Sequence, residues 1–267
     1  MMSPAHDKAP TTRFTGLADC YARFRPSYPD AAIQHALARC GLRPGCVLVD
    51  VGCGTGISSR LFAMQGLQVI GIEPNADMRR QADATPSPEG VAPPTYRDGR
   101  AEATGLPRDF ADGVLAAQAF HWFEPGKALR EFARVLKERG WVILMWNERD
   151  EGDAFTAEYG SVIRSTREAE TIEMPRGRAG QPLLTCSEFR HAQRHEFTHR
   201  QELDEEGLLG RAFSASYAPR EPGEAERFAA SLRAVFQRFA KAGRVTLRYR
   251  TSVYTAQRPG VVQAQLP

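Results

Sequence analysis

The sequence predicts an α/β fold: a mostly parallel sheet with helices on both faces, an antiparallel C-terminal strand and a small helical cap. Three observations predict it. Cys46-Val47-Leu48-Val49-Asp50-Val51 is a short, branched, apolar run, as a central parallel strand buried on both faces requires. A glycine-rich turn, Asp50-Val51-Gly52-Cys53-Gly54-Thr55-Gly56, follows it and leads into a helical stretch. Strand and helix patterns then alternate as far as residue 147, the order of βαβ units.

Taken in order, residues 1–12 are polar with two prolines and read as a flexible tail. Asp30 precedes Ile33, Ala36 and Leu37 at helical spacing, and Gly41 supplies a stop. After the turn at Arg43-Pro44-Gly45 comes the buried strand. A helix over Ser58–Gln65, a strand over Gln68–Glu73 and a helix from about Asn75 to Ala82 follow. Residues 83–94 form a proline-rich loop, with short strands near Tyr96 and over Gly113–Ala117. The spacing then predicts a helix over Gly126–Leu136, ended by Gly140, and a strand over Trp141–Trp146. Beyond Asn147 the alternation stops, and residues 176–180 read as an exposed loop. Val245, Leu247, Tyr249, Thr251 and Val253 alternate with polar residues, the period of an antiparallel strand with one wet face. The organisation expected is a tail (1–12), a core (13–147), and a cap and substrate region (148–267) whose C-terminal strands complete the same sheet.

Composition narrows the function classes. Lys and Arg total 35 against 32 Asp and Glu, and a formal charge of +3 gives no electrostatic footprint for nucleic acid. The first thirty residues hold no apolar run suited to a signal peptide or a membrane span, so a cytoplasmic location without membrane association is expected. Cys20, Cys40, Cys46, Cys53 and Cys186 include no C-x-x-C pair and are expected to stay reduced, with no zinc site. His191, His195 and His199 fall four apart, but no helical apolar face and no acidic ligand accompanies them. No metal is expected there.

The glycine turn carries the chemistry. Glycines after a buried strand let the backbone turn sharply and approach a ligand, so a bound nucleoside is expected over Gly52, Gly54 and Gly56 in a Rossmann-like core. Glu73 ends the next strand, 19 positions after Gly54, where an acid accepts hydrogen bonds from both ribose hydroxyls. A dinucleotide fingerprint would place a glycine at Ile57. Asp50 repels a pyrophosphate but suits the ammonium of a bound amino acid, which favours S-adenosylmethionine over NAD.

The sequence resembles the class I methyltransferases, within them the small-molecule group termed methyltransferase type 11. Residues 14–147 carry the likeness: Asp50 to Gly56, Gly71-Ile72-Glu73-Pro74-Asn75, Gly99-Arg100-Ala101-Glu102 with Leu106-Pro107, Gln118-Ala119-Phe120-His121-Trp122-Phe123, Trp146-Asn147-Glu148-Arg149, and the leading Tyr21-Ala22-Arg23-Phe24-Arg25-Pro26-Ser27-Tyr28-Pro29. The resemblance implies that Asp50 and the glycines hold the methionine part of S-adenosylmethionine, Glu73 the ribose, and Ala101 and Glu102 the adenine, with Met78 against its face. Many relatives carry Asp where this chain has Arg100, which leaves the adenine contact of that position altered.

Further expectations attach to single residues. Gln118 to Phe123 follow the fourth strand at the ligand-binding edge of such a sheet, so Gln118 is expected at the cofactor and Trp122 and Phe123 at the methyl-transfer site. Tyr21 and Arg25 can close over the pocket and meet a carboxylate. His121 is the nearest candidate base for a hydroxyl or thiol acceptor, whereas a carboxylate acceptor needs none; a structural role for it stands beside the catalytic one. Trp146, Tyr217 and the loop near Arg176 are the expected substrate contacts. The reaction expected is in-line methyl transfer to a small-molecule acceptor. A nicotinamide-dependent oxidoreductase on the same sheet and a non-catalytic S-adenosylmethionine-binding protein are the alternatives, the first opposed by Ile57 and the lack of a Tyr-x-x-x-Lys.

Overall fold

A computed structural model describes residues 15–166 and 178–260. The expected tail and Arg176 lie outside the described residues. Seven strands form one sheet in the order β3-β2-β1-β4-β5-β7-β6. The strands are β1 (Val47–Val51), β2 (Gln68–Ile72), β3 (Thr95–Arg97), β4 (Ala111–Ala117), β5 (Leu136–Arg149), β6 (Arg190–Leu203) and β7 (Val245–Gln257). Strands β1 to β5 run parallel, and β7 is antiparallel to both β5 and β6. The chain builds outward from β1 to β2 and β3, then crosses back to place β4 on the other side of β1. That reversal opens a crevice at the carboxyl ends of β1 and β4.

The described helices are α1 (Ala18–Phe24), α2 (Asp30–Cys40), α3 (Ile57–Ala63), α4 (Ala76–Ala84), α5 (Pro125–Val135), α6 (Ala154–Arg164), α7 (Gln181–Thr185), α8 (Glu205–Phe213) and α9 (Pro222–Phe239). Alternation along β1 decides which layer each residue joins. Leu48 packs with α2 and α3 through Ile33, Ala36 and Phe62, while Val49 and Val51 pack with α5 through Leu129 and Phe132. Asp50 shares the side of Leu48 and so meets the first turn of α3. A third apolar cluster joins α6, α8 and α9 to Leu247 and Tyr249 of β7, forming the helical cap.

Sequence and structure differ in two places that matter. The helix expected over Gly126–Leu136 ends at Val135, and the chain turns into β5 at Leu136, which pairs with Ala111 across an irregular register. Gly140 therefore lies inside the strand rather than ending a helix. A Cβ there would stand 3.0 Å from the Lys137 carbonyl oxygen. The second difference is β6, fourteen residues of a sheet-edge strand with mostly exposed side chains. Its alternation of charge with His and Phe conceals the strand, because only a partial apolar face packs on α2. His195 stacks on His35 at 4.2 Å between ring centroids. Among the described residues no group of three metal-ligating side chains forms, and no helix is long and apolar enough to cross a membrane.

Candidate active site

A cavity of about 570 Å³ opens at the carboxyl edge of the sheet. Four loops build most of its wall, Gly52 to Gly54 after β1, Glu73 and Pro74 after β2, Gly99 to Glu102 after β3 and Ala117 to Ala119 at the end of β4; α1 with its following segment crosses the mouth, and α3, α4 and the segment into α5 contribute further side chains. Ligand cavities commonly occupy this position and size range.

The three glycines of the turn do different work. Gly54 has φ +55°, and a Cβ there would meet no atom within 4 Å. Being on the wall, it keeps the cavity floor open. Gly52 (φ +70°) is required by packing, since its Cβ would stand 2.6 Å from that of Ala119. Gly56, the left-handed residue before α3, is held against Tyr96, whose hydroxyl a Cβ would overlap. It is absent from the wall.

Asp50 lies one layer behind the wall and has no exposed surface. Its Oδ2 accepts the hydroxyls of Ser58 at 2.7 Å and Ser59 at 2.6 Å, while Oδ1 has no hydrogen-bond partner. Burial pushes the carboxyl up to about 6, against the lowering effect of the two serines. The pair of serines went unnoticed in the sequence, although adjacent hydroxyls in the first turn after such a loop are a usable signal for an acid on the preceding strand. Glu73 is held by backbone: Gly54 N–H donates to Oε2 at 3.0 Å and Asn75 N–H to Oε1 at 2.9 Å. Its carboxyl is also raised by burial. Thus the same acid ties the glycine turn to the start of α4, where Asn75 caps the helix through Asp77 and Met78. Met78 of α4 is buried on the same cavity wall that Ala101 and Glu102 line.

Gln118 follows β4 with φ +54°, a conformation uncommon for a side chain of its kind, and its Nε2 donates to the Asn147 carbonyl at 2.9 Å. This bond fixes the end of β4 to β5. Trp122 and Phe123 line the cavity on the side of α5. On the opposite side α1 supplies Tyr21, and Arg25 beyond it lies over the Tyr21 ring at 4.6 Å. Arg25 also donates to the Ser214 carbonyl at 3.1 Å, and Gln201 donates to that of Phe24, so the arm is tied to the cap.

Besides Asp50 and Gly56, three expected residues stand off the wall. His121 is behind it, its Nδ1 accepting the Trp146 indole N–H at 3.3 Å. A ring that accepts at Nδ1 carries its proton at Nε2 and is a donor there. Trp146 is 1% exposed and packs edge-on against Tyr254 in the sheet core, 5.6 Å between centroids. It belongs to the packing because its strand turns it to the α5 side. Tyr217 sits in the apolar cluster of the cap. The structure therefore gathers Tyr21, Arg25, Gly52, Gly54, Glu73, Met78, Ala101, Glu102, Gln118 and Trp122 on one cavity and leaves Asp50, Gly56, His121, Trp146 and Tyr217 behind it.

Comparison with known proteins identifies the family and the fold. A family model described as a methyltransferase domain matches residues 49–144. An uncharacterized methyltransferase of Mycobacterium tuberculosis is 33% identical over 215 residues, 79% of each chain. Among solved structures, the YcgJ protein of Bacillus subtilis shares the fold with a TM-score of 0.56 at 16% identity, over 87% of this chain and all of that one. A phosphoethanolamine N-methyltransferase of Haemonchus contortus, solved with S-adenosylhomocysteine, superposes with a TM-score of 0.52 at 17% identity, over 92% of this chain and 57% of that one. With its glycine turn, its sheet order and a relative matched over four-fifths of its length, the chain belongs to the class I S-adenosylmethionine-dependent methyltransferases.

Proposed function

We propose that the cavity binds S-adenosylmethionine and that the chain transfers its methyl group to a small-molecule acceptor by in-line displacement. One observation carries the reading: Asp50, buried with its Oδ1 unpartnered, precedes a glycine turn whose Gly54 leaves open space on the cavity wall. A buried carboxylate with one oxygen left without a donor behind a cavity wall fits a ligand that brings a cation, and the ammonium of the cofactor is one.

The residues divide the work. Asp50 attracts the ammonium, with Ser58 and Ser59 fixing its carboxylate. Glu73 retains lone pairs beyond its two backbone bonds and accepts from the ribose hydroxyls. Met78, Ala101 and Glu102 enclose the adenine, and Gln118 borders the cofactor from the end of β4. Tyr21 and Arg25 close the mouth and meet a carboxylate. S-adenosylmethionine supplies an electrophilic methyl on a sulfonium that departs as a thioether. The chain's own contribution is alignment and exclusion of water, which Trp122, Phe123 and the α1 arm provide. A roofed cavity of this size supports an acceptor of small-molecule dimensions. We assign His121 a positioning role, since its Nδ1 is engaged by Trp146.

Calorimetric titration with S-adenosylhomocysteine, with NADH as control, tests the reading. Micromolar binding of the first and none of the second is expected. Absence of binding, or preference for NADH, would overturn it.

A further inference from the structure

Arg211, on α8 in the cap, is only 7% exposed. Its Nε donates to the Tyr249 hydroxyl at 3.2 Å, and Tyr159 and Tyr217 are close enough to act on its charge. Burial raises the Tyr159 phenol above its ordinary range, so that group is neutral at physiological pH. Among the described residues no carboxylate pairs with Arg211. Glu151, an acid of the same region, is engaged by Arg149 at 3.5 Å and by Arg164 at 2.5 Å. A buried guanidinium without a counter-ion is among the costliest groups a fold can retain, and an apolar chain of similar volume would serve packing at least as well.

Its position bears on the reaction. Tyr249 pairs with Arg149 on β5, past the level at which β4 ends opposite Met145. Arg211, hydrogen-bonded to Tyr249, thus stands at the carboxyl end of β5, the end of the sheet at which the cavity opens. From the cavity wall, Arg25 reaches the Ser214 carbonyl, and the Ser214 hydroxyl donates to the Arg211 carbonyl at 2.7 Å. Trp122, on the opposite wall, packs against the cluster that contains Tyr159, Tyr217 and Tyr249. Trp122 thus belongs both to the cavity wall and to the packing around the tyrosines that surround Arg211.

We infer that Arg211 is the anion-binding residue of the acceptor site, so that the methyl acceptor carries a carboxylate or phosphate group. The planar guanidinium matches a two-oxygen anion. The inference rests on the S-adenosylmethionine reading of the cavity, and its test separates the two.

Wild-type protein and Arg211→Met, each loaded with S-adenosylhomocysteine, are unfolded thermally with benzoate, succinate or inorganic phosphate, and with benzamide and succinamide as neutral counterparts. At least one anion raises the wild-type Tm by about 5 °C when present at about a hundred times its Kd, and the neutral counterparts do not. Carboxylates acting without phosphate, or the reverse, identify the anion class. The Arg211→Met protein loses the shift, binds S-adenosylhomocysteine within about twofold of wild type, and melts at or above the wild-type temperature because an unpaired buried charge has been removed. A fall in its Tm would overturn the inference by making Arg211 a structural tie among the tyrosines. Persistence of the anion shift in the variant, weakened cofactor binding, or no anion shift in wild type would overturn it as well. Should S-adenosylhomocysteine itself fail to bind, both readings fall; should it bind while no anion does, this one falls alone.

Discussion

Replacing Asp50 by Asn removes a buried charge without changing the shape of the side chain. In the folded protein its carboxyl titrates at about 6, against 3.8 for the ordinary group. The folded value is the higher, so the stability linked to this group is fully present below 3.8 and is lost as the pH rises through about 6. At neutral pH the ionised acid costs about 3 kcal/mol. Asn escapes that cost and still accepts the Ser58 and Ser59 hydroxyls, but its amide places two N–H donors where Oδ1 has no partner, at a cost of about 1–3 kcal/mol. A net gain of about 1 kcal/mol at pH 7 is expected, or roughly 2–4 °C in Tm. Cofactor affinity moves the other way. Loss of a charge-assisted bond to the ammonium, worth about 1.5–3 kcal/mol, weakens S-adenosylhomocysteine binding roughly 10- to 150-fold. The wild-type affinity should also fall as the pH drops below about 6, where Asp50 takes up a proton, while the Asn variant shows no such limb. Calorimetry between pH 5 and 8, with thermal melts at each pH, reads both effects. A variant less stable than wild type at pH 7 that binds the ligand equally well would refute the reasoning.

Three other substitutions probe the frame around the cavity. Glu73→Ala deprives the Gly54 and Asn75 amides of their acceptor, and urea unfolding should show a loss of about 2 kcal/mol together with loss of S-adenosylhomocysteine binding; an unchanged midpoint would remove Glu73 from the frame. His121→Ala strands the indole N–H of Trp146, so a double-mutant cycle with Trp146→Phe should return a coupling of about 1 kcal/mol in stability, and a value near zero would mean that the 3.3 Å contact carries nothing. Gly210→Ala is informative because two effects oppose: alanine favours the helix by up to about 1 kcal/mol, but its Cβ would overlap the Phe24 ring of α1. Displacement of the arm that carries Tyr21 and Arg25 should weaken S-adenosylhomocysteine about fivefold while Tm changes little; a rise in both Tm and affinity would show that the arm does not need that contact.

The sequence disclosed the half of the site that depends on local order. A branched apolar strand, a glycine turn and an acid at the end of the next strand are short-range patterns, and Gly54 and Glu73 stand where such patterns put them. Residues brought in from a distance were harder to read. Trp146 was expected near substrate, but the face a strand residue presents depends on register, and its strand begins at Leu136 rather than at Trp141. Gly56 resembled its two neighbours in the motif until the Tyr96 ring, forty residues on, was found beside it. Arg211 left no local trace, because its meaning lies in three tyrosines drawn from α6, β7 and the segment after α8. Strand β6 escaped for a related reason, as an edge strand needs no continuous apolar signature.

The placement of β7 also has a bearing on how the protein is made. Among the described residues β6 pairs with β7 alone, and β7 fills the gap between β5 and β6. Residues 190–203 therefore leave the ribosome more than forty residues ahead of the strand that pairs with them. At elongation rates of about 5–20 residues per second they wait some seconds as an unpaired edge. The parallel half, from β1 to β5, has by then been synthesised in full. Arginine, glutamate and histidine along β6 suit that interval, since charge on a waiting strand discourages pairing with other nascent chains.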